Sequence, residues 1–317
     1  MFIIAGENLI DLVARPDGAY APHEGGAPYN FARALALQGV DAGYVNPLSA
    51  DRFGASLRRT LVASGAHHLG PTSARPTSLA LVTTDERGQP SYSFYRDNVA
   101  DRELELDRVL ASARGAIGFH TGALALVPPD HELVIQALTR CRADGMLCTV
   151  DVNLRPQVAH GTGVPLDRYR DAALAAVGAA HVVKVSDEDL RNLGLTAPPL
   201  DAARALLDRG CRLVVLTLGG AGAWVIDADR QIHQEAVPVT IVDMVGAGDC
   251  FFAGFLGYLH RHGVLPELIH RSPSEDLLVG AMRHAAVSAA IDITRAGCQP
   301  PTWDEAAAWQ AGDNVVA

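Results

Sequence analysis

Toward the C-terminal end of the chain, Asp243-Met-Val-Gly-Ala-Gly-Asp249 sets two carboxylates around three small residues, and an apolar run from Cys250 to Leu256 follows at once. This pattern predicts a helix that opens at the glycines. The unpaired amides of a first helical turn, helped by the helix dipole, make a cup for an anion. Gly246, Ala247 and Gly248 would form the cup, with Asp249 beside it. A cup that stabilises charge next to an acid that takes a proton suits phosphoryl transfer from a nucleotide to a hydroxyl. The alternative is a glycine turn in which Asp249 only caps the helix.

Other stretches carry compatible chemistry. Val214 to Thr217 reads as a strand that ends in a hydroxyl and turns through Gly219, Gly220 and Gly222 into a second strand. Glycines there let a nucleotide phosphate approach the backbone, with Thr217 in reach, although an ordinary hairpin would look the same. No Gly-Lys-Ser/Thr follows, so this is not a Walker A loop, and Gly6 alone makes no dinucleotide fingerprint. Val182-Val-Lys-Val-Ser186-Asp-Glu188-Asp189 puts polar residues at a strand's C-terminal end, where α/β proteins bind ligands. Asp189 or Glu188 could hold hydrated Mg2+ through water. Ser186 and Asp189 also have the spacing of a helix capping box, and both readings can hold together.

On the acceptor side, Gly25 and Gly26 expose backbone ahead of a helix that carries Asn30, whose amide both donates and accepts. Asp11 lies within an apolar strand, where a carboxylate needs partners; paired sugar hydroxyls would serve, and so would a structural backbone N–H. Asn153 and Arg155 end another strand, and Arg155 could neutralise a transferred phosphate or make a surface ion pair. Arg96 could close over the acceptor or simply end a solvated strand. His23, His67, His68 and His120 show no metal spacing, and His120 would line the crevice at most.

These groups need a frame. The chain has 317 residues, 49% of them hydrophobic, enough for a full core. A formal charge of -10 argues against a general nucleic-acid surface, and no apolar stretch approaches the roughly 20 residues of a membrane span. Cysteines 141, 148, 211, 250 and 298 form no zinc-type cluster in sequence, which leaves buried thiols in a reducing compartment. The first residues read as a strand and not as a signal peptide, so a soluble, cytoplasmic protein is expected.

Strands are expected at 2–5, 9–13 and 40–48, with a Pro/Gly-rich loop before a helix at 29–38 and a second helix at 54–64. Residues 77–96 alternate as a hairpin turning at Asp85 to Gly88, suited to a small projecting sheet. From 115 onward, strands at 116–119, 146–151, 181–185, 213–218 and 223–227 alternate with helices at 130–143, 167–178, 187–193, 201–209, 248–260 and 278–291. That alternation predicts one α/β domain with a mostly parallel sheet covered on both faces.

The set resembles the ribokinase-like, or PfkB, family of carbohydrate kinases over essentially the whole chain, and the bacterial fructokinases within it. The resemblance rests on Asp243 to Asp249, with Met244 at a usual Thr, on Gly25, Gly26, Pro28 and Asn30, on Asp51-Arg-Phe-Gly54, and on Thr294-Arg295-Ala-Gly297-Cys-Gln299-Pro300. Asp151-Val-Asn-Leu-Arg-Pro156 and Ser93-Phe-Tyr-Arg96 point to the fructokinases.

The resemblance implies a three-layer α/β/α sandwich over residues 1–317, with a small β-sheet lid from about 12–24 and 77–100. It implies ATP and Mg2+ as cofactors, Asp249 as base, and the 246–249 backbone as anion hole. Thr217, Gly219 and Gly222 would bind nucleotide; Ser186 stands where many members have Asn, and Asp189 where they have Glu. Asp11, Gly26 and Asn30 match sugar-binding positions. A monovalent cation, K+, is admitted near Asp243, Val245, Arg295 and Gly297, although Pro301 departs from a commonly polar position. Lids that pack together would give a homodimer.

The implied reaction is ATP plus D-fructose to ADP and fructose 6-phosphate. 2-Keto-3-deoxygluconate, ribose or a nucleoside are alternative acceptors, and a sugar-sensing protein without chemistry is the alternative of another class.

Overall fold

The computed structural model describes residues 1–15, 17–84 and 90–312. In chain order the first strands are β1 (Phe2–Ile4), β2 (Leu9–Ala14), β3 (Tyr20–Gly25), β4 (Ala42–Tyr44), β5 (Leu48–Ser49), β6 (His67–His68) and β7 (Thr72–Ser73). Then come β8 (Ser78–Thr84), β9 (Pro90–Tyr95), β10 (Gly118–Gly122), β11 (Leu147–Asp151), β12 (Val182–Ser186), β13 (Leu213–Thr217), β14 (Ala223–Ile226) and β15 (Gln231–Gln234). The helices are α1 (Ala27–Leu37), α2 (Arg52–Ala63), α3 (Leu106–Ala113), α4 (His131–Ala143), α5 (Pro156–Thr162) and α6 (Leu166–Ala179). They continue as α7 (Asp187–Asn192), α8 (Pro199–Ala205), α9 (Ala247–Arg261), α10 (Glu275–Ile293) and α11 (Trp303–Ala311).

The main sheet runs β15-β14-β13-β12-β11-β10-β1-β4-β6. It is parallel from β6 to β13, and β14 and β15 add antiparallel at the edge. Its central strands are apolar on both faces, as a sheet covered twice must be. Ile3, Phe119, Val150, Val183, Val214 and Leu216 pack into one core with Val134, Leu138 and Tyr169 of α4 and α6. Phe2, Ile4, Leu147, Val182, Leu213 and Val215 face the other way, onto Tyr29, Phe31, Phe252, Phe255 and Met282 of α1, α9 and α10. Neighbouring residues of one strand thus divide between two cores, and the result is the expected α/β/α sandwich.

A separate four-stranded sheet, ordered β3-β2-β8-β9, stands beside it. β2 and β8 pair in parallel at its centre, and β3 and β9 flank them antiparallel. The expected hairpin is therefore present as β8 and β9, while its Asp85–Gly88 turn lies outside the described residues. The loop expected ahead of α1 is instead largely a strand, β3. The strand expected at 40–48 is broken into β4 and β5, because Pro47 has no N–H to continue a ladder. Asp51 joins the two bodies: its carboxylate caps α2 at the Gly54 amide (2.7 Å) and takes the Thr77 amide (2.8 Å) at the entry to β8.

Candidate active site

The parallel register brings the strand ends together. Asp151 stands opposite both Gly122 and Lys184, and Ser186 opposite Thr217. The C-terminal edge of β10 to β13 is thereby a continuous polar rim on an apolar sheet, the place where such folds leave room for a ligand.

The first turn of α9 faces this rim. Gly246 holds φ 89°, and a Cβ on it would lie 2.3 Å from Cys298 Sγ, so no side chain fits there. Ala247 and Gly248 follow, partly exposed. A Cβ on Gly248 would come within 2.9 Å of Lys184 Nζ. Asp249 comes next and is only 7% exposed, with Oδ2 accepting from Asn30 Nδ2 at 3.1 Å. Burial pushes its carboxyl well above the ordinary carboxylate range; Asp151 adds to the push and Lys184 opposes it. A carboxylate of raised pKa is a better proton acceptor near neutral pH than an ordinary Asp.

Lys184 was not singled out by sequence, because it sits inside an apolar run and its partner is far away in the chain. Its ammonium donates to both oxygens of Asp151, at 3.0 and 2.8 Å, with both residues buried. Burial alone would depress an ammonium's pKa; Asp151 and Asp189 outweigh it, and Lys184 stays charged. Burial pushes the Asp151 carboxyl above the ordinary carboxylate range, and the ammonium against both its oxygens opposes that push.

Asn30 reaches Asp249 from α1, which begins right after Gly25 and Gly26. Its Oδ1 is buried and has no hydrogen-bond partner. Asp11, on β2 of the small sheet, lies against Gly25 so closely that a Cβ there would meet its Oδ2 at 2.3 Å. Burial, with Asp243 adding, pushes Asp11 up to about 7, and Arg155 pulls the other way. Arg155 is partly buried between acids: burial would lower its pKa, and Asp189 and Glu188 hold it up. Asn153, two residues earlier, takes φ 37°, a left-handed backbone unusual for a side-chain-bearing residue.

Glu7 was also missed by sequence, as an acid just past a short strand. It is 3% exposed, its Oε1 accepts from the Ala27 amide at 3.2 Å, its Oε2 has no partner, and burial pushes it up to about 7. Arg96 stands behind it. The guanidinium donates to Asp101 at 2.7 Å and to the Leu124 carbonyl at 3.4 Å, and lines a cavity of about 60 Å³ with Glu7 and Asn46. Arg96, expected either to close over the acceptor or to end a solvated strand, is buried and paired with Asp101.

At the other end of the rim, Ser186 and Asp189 form the capping box. Asp189 is fully engaged: Oδ1 takes the Leu154 amide (2.8 Å), and Oδ2 takes the Ser186 amide (2.8 Å) and hydroxyl (2.7 Å). Glu188, beside it, is exposed. Past Thr217, Gly219 and Gly220 are exposed with no atom within 4 Å of a notional Cβ, which leaves open space beside the turn. Gly222 packs so tightly on the Gln234 carbonyl (2.1 Å to a notional Cβ) that only glycine fits. Asp243 accepts from the Val245 amide (3.1 Å) and the Gly297 amide (2.8 Å), tying those two segments together. The Arg295 guanidinium turns away to Glu305 at 2.6 Å. His120 is a buried core residue, stacked on Phe31 and bonded to Thr149, and burial pushes it down to about 3.

Residues 5–305 match the model of the pfkB family of carbohydrate kinases. The chain belongs to this family. A fructokinase of Rhizobium leguminosarum bv. trifolii is 32% identical to it over 270 residues, covering 84% of this chain and 81% of that one. A fructokinase of Escherichia coli is 29% identical over 265 residues, covering 82% and 85%. The crystal structure of a Xylella fastidiosa fructokinase with bound ATP superposes with TM-score 0.87 at 26% identity, covering 98% of each chain. Among the described residues of this pfkB member, no helix is long and apolar enough to cross a membrane.

Proposed function

We propose that this pfkB-family protein transfers the γ-phosphoryl group of ATP to a primary hydroxyl of D-fructose. The observation that carries the reading is the buried Asp249 carboxylate, which directly follows Gly246–Gly248 and is bonded to Asn30 of α1, the helix that begins just after Gly25 and Gly26. The relatives named fructokinase support the choice of sugar, and the ATP-bound relative supports the nucleotide.

ATP with Mg2+, when bound, supplies an activated phosphoryl group. The open turn at Gly219 and Gly220, with Thr217 and Ser186 on the adjacent strand ends, would hold the nucleotide. Glu188, which is exposed, would act on the metal; Asp189, with both oxygens bonded to protein, would reach it only through water. K+ would belong at the segments that Asp243 ties together.

The chain's own residues do the rest. Asp249 takes the proton of the attacking hydroxyl. Asn30 donates to one Asp249 oxygen and so orients the other toward the acceptor, while the unpartnered Asn30 Oδ1 can accept from a sugar hydroxyl. Asp11 as a carboxylate accepts a further hydroxyl pair. The amides of Gly246 to Gly248 and the Lys184 ammonium stabilise charge on the transferred group. The small sheet acts as a lid that keeps water from competing with the sugar. Arg96 supports this arrangement from behind Glu7.

Arg155 favours one second reading. A partly buried cation near Asp11 would suit a sugar acid, as in 2-keto-3-deoxygluconate.

ADP release measured against a panel of sugars separates these readings. Fructose should be the best acceptor, and Asp249→Asn should lower kcat by about 10²–10⁴-fold, the range for a lost general base. Preference for the keto acid would transfer the assignment to that substrate. Sugar binding without turnover on any acceptor would refute the kinase reading.

A further inference from the structure

Behind the anion cup lies a cluster that the proposed reaction does not use. Cys250, in the first turn of α9, Asp292, near the end of α10, and Cys298, in the segment that follows, each offer one donor atom, and these atoms lie within 4.8 Å of one another. Their exposures are 1%, 0% and 6%. Asp292 Oδ1 accepts from the Gln299 amide at 2.7 Å, while Oδ2 has no N–H or hydroxyl donor and the carboxylate's other neighbour is the Cys250 thiol. A fully buried carboxylate oxygen that has only a weak thiol donor beside it is costly, and a cation would satisfy it better.

The donor set selects the occupant. Two sulfurs and one carboxylate favour a thiophilic cation over Mg2+ or K+, which prefer oxygen throughout. Zn2+ accepts this mixture, and three protein ligands leave its fourth position for water.

The cluster also touches the site. The notional Cβ of Gly246 lies 2.3 Å from Cys298 Sγ and 3.3 Å from Asp292 Oδ2, so the donor atoms sit directly behind the cup's first residue. Zn–S bonds of about 2.3 Å and Zn–O bonds of about 2.0–2.2 Å bring donors to within about 3.8 Å of each other. Contact distances of up to 4.8 Å must therefore contract. Cys250 would carry the first turn of α9 with it, and Cys298 would press on Gly246.

We propose that Cys250, Asp292 and Cys298 form a zinc site whose occupation displaces the Gly246–Gly248 backbone and slows turnover. Zn2+ replaces the two thiol protons, which leave to solvent, and Asp292 contributes its carboxylate, so no redox step is involved. The binding claim stands on the cluster alone; the effect on turnover rests on the kinase reading.

The test uses the full chain under a reductant that does not bind metal. Titration with CdCl2 should show thiolate-to-metal ultraviolet absorption that saturates at one equivalent, and this step should vanish in Cys298→Ala and in Asp292→Asn, which keeps the bond to the Gln299 amide. Stoichiometric ZnCl2 should lower the kcat of the unaltered protein by at least about 10-fold, since displacements toward 1 Å at a reacting centre can cost about 10²-fold. EDTA should restore it, and both variants should resist zinc. A cadmium signal unchanged in both variants, or absent from the unaltered protein, overturns the site. Equal zinc inhibition in all three overturns the link to the cup. A protein inactive on every sugar still gives the cadmium result, so failure of the kinase reading is distinguishable.

Discussion

Replacing Lys184 by methionine separates two jobs that its position gives it. The ammonium neutralises buried Asp151 and also lies against Gly248, where the transferred phosphoryl group is proposed to sit. Leaving Asp151 buried and unpaired costs about 3–5 kcal/mol. At about 2 °C per kcal/mol for a large domain, Tm should fall by roughly 6–10 °C. A unit charge about 5 Å from the reacting group, at an effective dielectric near 20, is worth about 3 kcal/mol. Its loss should lower kcat about 150-fold. The double variant Lys184→Met/Asp151→Leu tells the two effects apart, because an apolar pair of similar volume can replace a buried ion pair at little cost in stability. Thermal unfolding should recover nearly to the unaltered value in the double variant, while kcat at saturating ATP and fructose stays about 10²-fold down. If kcat returns together with Tm, Lys184 only supports the fold and its part in the chemistry is refuted.

Two further predictions concern the acceptor side. Asp11, at about 7 when folded against an ordinary 3.8, is largely protonated in the native state below neutrality. Acceptor KM should therefore fall as pH rises from 6 to 8 and the carboxylate forms, and this dependence should flatten in Asp11→Asn, read from initial rates at saturating ATP. The linked stability has the opposite sign: the raised native pKa favours folding most below about pH 4, and this contribution is lost as pH rises through about 7. Gly25→Ala places a methyl 2.3 Å from Asp11 Oδ2. It should raise acceptor KM by about 10-fold or more while leaving the KM for ATP unchanged, since a small misplacement of a binding group is costly; an equal rise in both would show a general distortion.

The sequence was most legible where local pattern and global fold agree. Apolar runs ending in polar residues became β10 to β13, and the glycine-to-apolar step at Gly246 became the start of α9. β3 was read as loop because Pro22 and an exposed, weakly alternating surface hide a strand whose ladder is supplied by β2. β15, α3 and α11 were passed over because short or weakly patterned segments are stabilised by what they pack on more than by their own pattern. Within the candidate site, the sequence pointed to residues near glycines. Lys184 and Glu7 were not, because a buried charge announces itself only through a partner that the fold brings close: Asp151 for one, the Ala27 amide for the other. Arg96 is the converse case. A cation at a strand end looks available until Asp101 claims it. The five cysteines are buried and free, as their spacing suggested, yet nothing in that spacing showed that two of them meet over Asp292.

The parallel pairing of β2 with β8 has a consequence for how a kinase of this kind would choose between sugar and water. β2 begins only five residues after β1 ends, and it carries Asp11 into the small sheet. Under the proposed function, recognition of the hydroxyl pair and closure of the small sheet would be one equilibrium: whatever free energy the acceptor contributes to closing, closure would return as affinity. Water has no second hydroxyl to offer Asp11 and draws no benefit from the closed form. On the proposed function, rejection of hydrolysis would in this sense be a property of a single strand, set by the same residue that is proposed to select the sugar.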